Sequence, residues 1–159
     1  MDWRSLFLSP HGRISRQTFW IGFFVLFGLS FVVNAIPVLG QILWFLMLWC
    51  WVVLFTKRFH DMGQSGWWQV VPFALWAVTF IVGIILLGAA AFGAAFAYAG
   101  SWDPSAWLAL GGTGLIFGII ALVAALSHLA MILYLGLAPG QTVTNRYGHP
   151  PGSSLAPAL

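Results

Sequence analysis

Four apolar stretches, each about long enough to cross a bilayer, limit what this chain can fold into. Phe19–Val33 is apolar apart from Ser30, Ile42–Phe55 is apolar throughout, and Trp67–Ala99 and Trp107–Leu137 carry only a few polar side chains. A helix needs about 20 such residues to cross a hydrocarbon layer of roughly 30 Å. In lipid a backbone must satisfy its own N–H and C=O groups, and separate apolar runs joined by short connectors do so as helices. The chain is 61% hydrophobic and 6% charged, against about 25% charged in an average soluble domain. The expected fold is an all-α integral membrane protein with four transmembrane helices, over about 17–36, 39–56, 67–99 and 107–138. A cytoplasmic or interfacial N-terminal segment 1–16 is expected to precede them, a cytoplasmic polar loop 57–66 to divide them, and a cytoplasmic tail 139–159 to follow.

Breakers separate the runs: Asn34, Pro37 and Gly40, then Gly63 and Gly66, then Asp103-Pro104, then Pro139-Gly140. A cleaved leader ending at Val33-Asn34-Ala35 competes for the first run, but equally apolar runs follow it, which favours an uncleaved helix. The third run is overlong. Its 33 residues make about 50 Å of helix at 1.5 Å each, so it must tilt, protrude or kink near Pro72. Ala89, Gly93 and Ala97, and likewise Gly114 and Gly118, recur at intervals of four. Such small-residue faces let helices approach closely in lipid, either between the third and fourth runs or between copies of the chain.

Charge sets the orientation. Net charge is +3, and Arg4, Arg13, Arg16, Lys57, Arg58 and Arg146 are the six basic residues. Four crossings place all of them on one side, which the positive-inside rule makes the cytoplasm, with both termini and loop 57–66. Trp3, Trp20, Trp67 and Trp68 then fall near the inner interface, and Trp102 and Trp107 near the outer one. So few cations exclude a nucleic-acid face, and Cys50 alone excludes an internal disulfide.

The stretch Lys57–Trp68 gathers most of the polar chemistry. Lys57 and Arg58 close the second helix, where cations favour the negative end of its dipole. Ser65 is a reasonable N-cap for the third helix, and Gly66 would leave amides open beside these cations, which makes an anion site. The competing reading is a structural turn in which Asp61 pairs with Arg58 or Arg146. The expectation is a blend: Asp61 neutralises one arginine and the others meet lipid phosphates. The binding set is Arg13, Arg16, Lys57, Arg58, His60, Asp61, Ser65, Gly66, Asn145 and Arg146. Ser127 and His128 form a separate intramembrane polar pair. Such a histidine is a functional hypothesis by default, although a carbonyl or serine partner would also satisfy it. Enzyme readings are poor. Asp2, Asp61 and Asp103 are far apart, and Ser65, His60 and Asp61 crowd one loop without a nucleophile elbow. His11, His60, His149 and Asp61 lack metal-ligand spacing. Hence no catalytic residue, metal or cofactor is expected.

Three motifs occur together: Gly12-Arg13-x-Ser15-Arg16-x-x-Phe19-Trp20, then Arg58-x-His60-Asp61-x-Gly63-x-Ser65-Gly66-Trp67-Trp68, then Pro139-Gly140 with Asn145-Arg146-Tyr147-Gly148. In this order the chain resembles, over roughly 10–150, the domain of unknown function 805 family, the YhaH-like bacterial inner-membrane proteins. The resemblance implies a small multi-pass protein of the bacterial inner (plasma) membrane, of unestablished activity. Two departures stand out. His149-Pro150 occupies the place of an Asp-Pro, and the Ala/Gly-rich extension of the last two runs is longer. The preferred function class is a membrane interaction or assembly protein that binds membrane lipid, an anionic phospholipid in particular, with a second copy or another membrane protein as further partners. A small transporter or channel subunit is the alternative and needs a polar path through the helices. A lipid-modifying enzyme ranks third and needs a deep pocket joining Asp61 and His60.

Overall fold

The computed structural model describes residues 3–98 and 104–153, with backbone alone for 94–98 and 104–110. Its helices are α1 (Trp3–Leu8), α2 (Arg16–Asn34), α3 (Leu39–Asp61), α4 (Val70–Tyr98) and α5 (Pro104–Leu137), with a 3-10 turn over Gly66–Gln69. Four stretches are long and apolar enough to cross a membrane: Arg16–Asn34, Leu39–Asp61, Gly66–Gly93 and Gly111–Leu137. The all-helical fold and the number of long helices are therefore as expected. The chain forms two compact units. One comprises Met1–Gln69 with Ile132–Leu159, and the other Val70–Met131.

In the first unit, α2 begins at Ser15, whose extended backbone and side-chain oxygen make it the N-cap. Its Oγ accepts the Thr18 N–H at 3.2 Å, which satisfies one of the amides that a helix start leaves open. The turn into α3 is tight. Val38 is held at φ 61°, and Gly40 packs against the Val33 carbonyl so closely that a Cβ would collide with it. α2 and α3 meet where Gly22 receives Leu54; a Cβ there would lie 2.7 Å from Leu54 Cδ1. Phe19, Phe23, Trp51 and Phe55 continue the contact as a chain of rings 5.1–6.2 Å apart. Leu6, Ile14, Phe19, Leu26, Val53, Leu54, Phe55, Phe59 and Leu135 form the buried core of this unit.

The loop expected at 57–66 starts later. Lys57–Asp61 is the end of α3, because no breaker precedes Gly63 and because cations are favourable in a last helical turn. Gly63 takes φ +73°, and the helix closes with Gly63 N–H to His60 O at 3.0 Å and Gln64 N–H to Phe59 O at 2.9 Å. This is the glycine-terminated C-cap in which two crossed bonds satisfy orphan carbonyls.

In the second unit, α4 and α5 meet through aromatic rings. Phe117 packs on Gly83, where a Cβ would sit 3.0 Å from its ring. Phe73 meets His128 edge-on at 5.6 Å. Within the second unit the small-residue faces make no close approach at Gly93, Gly114 and Gly118, which have nothing within 4 Å of a built Cβ among the described residues. A ring seated on Gly83 is the contact instead. The side chain of Ala97 and all of Trp102 lie outside the described residues.

Candidate functional site

Two helix ends and one carboxylate meet at one end of the first unit. A helix C-terminus leaves four carbonyls without intrahelical donors and carries about half a negative charge. At the end of α5, other elements supply the donors. Arg58 Nε donates to Leu135 O at 2.7 Å, Trp20 Nε1 to Gly136 O at 3.2 Å and Arg16 Nη1 to Leu137 O at 3.4 Å. Arg58 Nη2 donates to Ala138 O. At the end of α3, Asn145 Nδ2 donates to His60 O at 3.0 Å, and the Gln141 N–H donates to Asp61 O at 2.9 Å. Arg13 Nη2 adds a longer bond to Asp61 O at 3.3 Å.

The Asp61 carboxylate lies between two guanidiniums. Arg13 Nε and Nη2 donate to Oδ1 at 3.1 and 3.0 Å, and Arg58 Nη1 donates to Oδ2. All three side chains are buried: Arg58 is 0% exposed, and Arg13 and Asp61 are each 3%. An isolated charge at such burial is prohibitively costly. Here two cations face one carboxylate and two helix ends, each of the ends worth about half a charge, so the cluster is close to neutral as a whole.

The tail wraps this cluster. Arg13 Nη1 donates to Val143 O at 2.8 Å and Gly148 O at 3.2 Å, and Nη2 donates to Gln141 O. Gly140 lies directly against the Asp61 carboxylate, where any Cβ would collide with it. Asn145 and Gly148 close a tight turn with reciprocal backbone bonds of 3.1 and 3.0 Å, and Asn145 Oδ1 accepts the Tyr147 N–H at 2.9 Å. The Tyr147 ring stacks on His60, with centroids 3.7 Å apart and planes within 7°. Arg146 stands over the Tyr147 ring at 4.8 Å. His60 Nδ1 lies 3.3 Å from Gly12 O.

The expected binding residues thus divide. Arg13, Arg58 and Asp61 are internal, with their polar atoms engaged by one another and by carbonyls. Asp61 pairs with Arg58 as one of the two expected partners, but its second partner is Arg13, and Arg146 goes to Tyr147 instead. Lys57 is buried and turned away from the cluster, with Nζ donating to Ser5 O at 2.5 Å. Ser65 Oγ accepts the Trp67 N–H at 3.4 Å, consistent with a cap. Gly66 is buried, contrary to the open position expected for it: a Cβ there would come within 2.7 Å of Thr56, so this glycine serves close approach to α3. Asn145 orders the tail. Arg16 and Arg146 remain exposed, and His60 is half-buried. Ser127 and His128 belong to the other unit. Sequence reasoning passed over Gln141, whose N–H, carbonyl and side chain are all engaged, the last with Asn145 Nδ2 at 2.9 Å. Nothing local to Gln141 marked it out.

A family model described as "Protein of unknown function (DUF805)" matches residues 7–149, a span containing Arg13, Arg58, Asp61, Gly140 and Gly148. No curated protein matches, and no solved structure does.

Proposed function

The chain belongs to the DUF805 family of proteins of unknown function, and we propose that it is a multi-pass protein of the bacterial inner membrane whose basic, cytoplasmic side holds an anionic phospholipid head group. In this reading it is an interaction or assembly protein. A second copy or another membrane protein is the partner it would gather with that lipid.

One observation carries the reading: the buried Arg13 and Arg58 are balanced inside the protein by Asp61 and two helix ends, while Arg16 and Arg146 are exposed. Arg13 and Arg58 have spent their charge on Asp61 and on two helix ends. They hold the surface in shape and leave phosphate binding to others. Arg16 also stands in the first turn of α2, where the helix dipole favours an anion. His60 and Arg146 flank Tyr147 and offer a second polar contact at head-group level. Phospholipid is the abundant anion at that level, and each cation near such a surface adds about 1 kcal/mol of attraction.

Thermal unfolding of the detergent-solubilised protein, with added phosphatidylglycerol or phosphatidylcholine, tests the proposal. A ligand that binds only the folded state raises the melting temperature according to its affinity. Phosphatidylglycerol should stabilise the wild type more than phosphatidylcholine does. The Arg16→Ala/Arg146→Ala double variant should lose that preference, with only a small fall in lipid-free melting temperature from the exposed Arg16–Leu137 bond and the Arg146–Tyr147 contact. Equal shifts for both lipids in the wild type, or an undiminished preference in the variant, would refute it.

A further inference from the structure

The N-terminal helix packs along α3. Its contacts descend α3, away from the Asp61 end. Ser5 O accepts from Lys57 Nζ at 2.5 Å. The Phe7 ring lies 3.6 Å from the Cβ position of Gly22, where Leu54 also packs. Leu8 O accepts from Trp49 Nε1 at 3.3 Å. Ser5 and Leu8 of α1 thus bond to Lys57 and Trp49 of α3, in order, with Phe7 between them against Gly22 of α2. From Lys57 to Trp49 is eight residues, or about 12 Å of helix axis. Within this stretch of α3, Val53, Leu54 and Phe55 are buried.

The chain then comes back. Arg13 is bonded to Asp61, only five residues after Leu8. Five extended residues span about 17 Å, and residues 9–15 contain no helix. The segment therefore runs along α3 as α1 and returns as extended chain to the Asp61 end of that helix. Its open carbonyls find side-chain donors on the way: Ser5 O from Lys57, Leu8 O from Trp49, and Gly12 O beside His60 Nδ1 at 3.3 Å. Non-helical backbone at membrane depth is tolerated only when protein satisfies it in this manner. The pattern of exposure agrees. Leu6 faces the core at 3% exposed, while Trp3 and Leu8, at 49% and 51%, face outward, as does Trp49 at 47%.

We propose that residues 3–13 form a re-entrant element in the cytoplasmic leaflet, with Trp3 and Leu8 against acyl chains and Lys57 as the latch that holds α1 on α3. The buried lysine then has a task at that depth: its ammonium caps a helix carbonyl that lipid cannot. This inference is independent of the head-group reading, because it concerns acyl-chain contact on another face.

Depth-dependent fluorescence quenching in reconstituted vesicles tests it. In a Cys50→Ser background, single variants Trp3→Cys, Leu8→Cys and Val143→Cys carry an environment-sensitive label. Phosphatidylcholine bears a nitroxide either on its head group or midway along an acyl chain. A re-entrant α1 puts position 8 about 7.5 Å deeper than position 3, five residues at 1.5 Å each. The label at 8 should be quenched at least about two-fold more by the acyl-chain nitroxide than by the head-group one, the label at 3 less so, and the label at 143 the other way round. In a Lys57→Met background the label at 8 should lose that preference. Equal depths at 3 and 8, or head-group quenching dominant at 8, would overturn the proposal. The comparison of 3 with 8 decides the matter with Lys57 intact, even if the lysine variant fails to fold.

Discussion

Replacing Asp61 with Asn removes one charge while leaving shape almost unchanged, so it isolates the electrostatics of the cluster. Asp61 is 3% exposed and sits between Arg13 and Arg58. Without it, two buried guanidiniums face only two helix ends of about half a charge each, and about one positive charge is left uncompensated. One oxygen also becomes an amide donor facing an arginine donor. Removing one partner of a buried ion pair costs about 3–5 kcal/mol. The carbonyl bonds from Arg13 to Val143 and Gly148, and from Arg58 to Leu135, survive, which places the loss at the lower end, about 3 kcal/mol. For a chain of this length that is a fall of about 6–12 °C in melting temperature, readable by circular dichroism in detergent. A cycle with Arg58→Met supplies the control. Because the two side chains touch, their effects should couple by about 1 kcal/mol or more. A fall of under about 3 °C for Asp61→Asn, or strict additivity with Arg58→Met, would show that the carboxylate is not what holds the arginines.

Four further substitutions, in two pairs, probe the first unit. Gly140→Ala drives a methyl group into the Asp61 carboxylate and should cost about 1–3 kcal/mol, whereas Gly28→Ala, with nothing within 4 Å, should be neutral or stabilising by up to about 1 kcal/mol; melting temperatures of the pair decide. Ser15→Ala removes the cap of α2 and should lower stability by about 1 kcal/mol, with Ser15→Asn restoring most of it in the same assay.

Much of the architecture was legible because it depends on local sums. The long helices and their breaks follow from apolar run length and from Pro and Gly positions, and Gly63 and Ser65 act where their backbone and side-chain chemistry say they should. The end of α3 was read too early because Lys57, Arg58 and Asp61 look like loop residues. Helices keep such residues when the charges are balanced by chain far away. The same reason accounts for the site. Arg58 and Asp61 are three residues apart, and their pairing was among the expectations. Arg13 lies 48 residues from Asp61, and no spacing tells which of several arginines will reach it. Gly66 looked open for lack of any sign of Thr56 beneath it.

The chain's own order of residues determines four long apolar helices, their approximate limits and the gathering of all its cations into three segments, since each of these is a property of neighbours along the chain. Only the tertiary structure decided which cations turn inward. That choice depends on two helix ends and a carboxylate arriving at one place, where orphan carbonyls need donors and Asp61 needs counter-charge. Arg13 and Arg58 are drawn in by that demand, and Arg16 and Arg146 are left facing out.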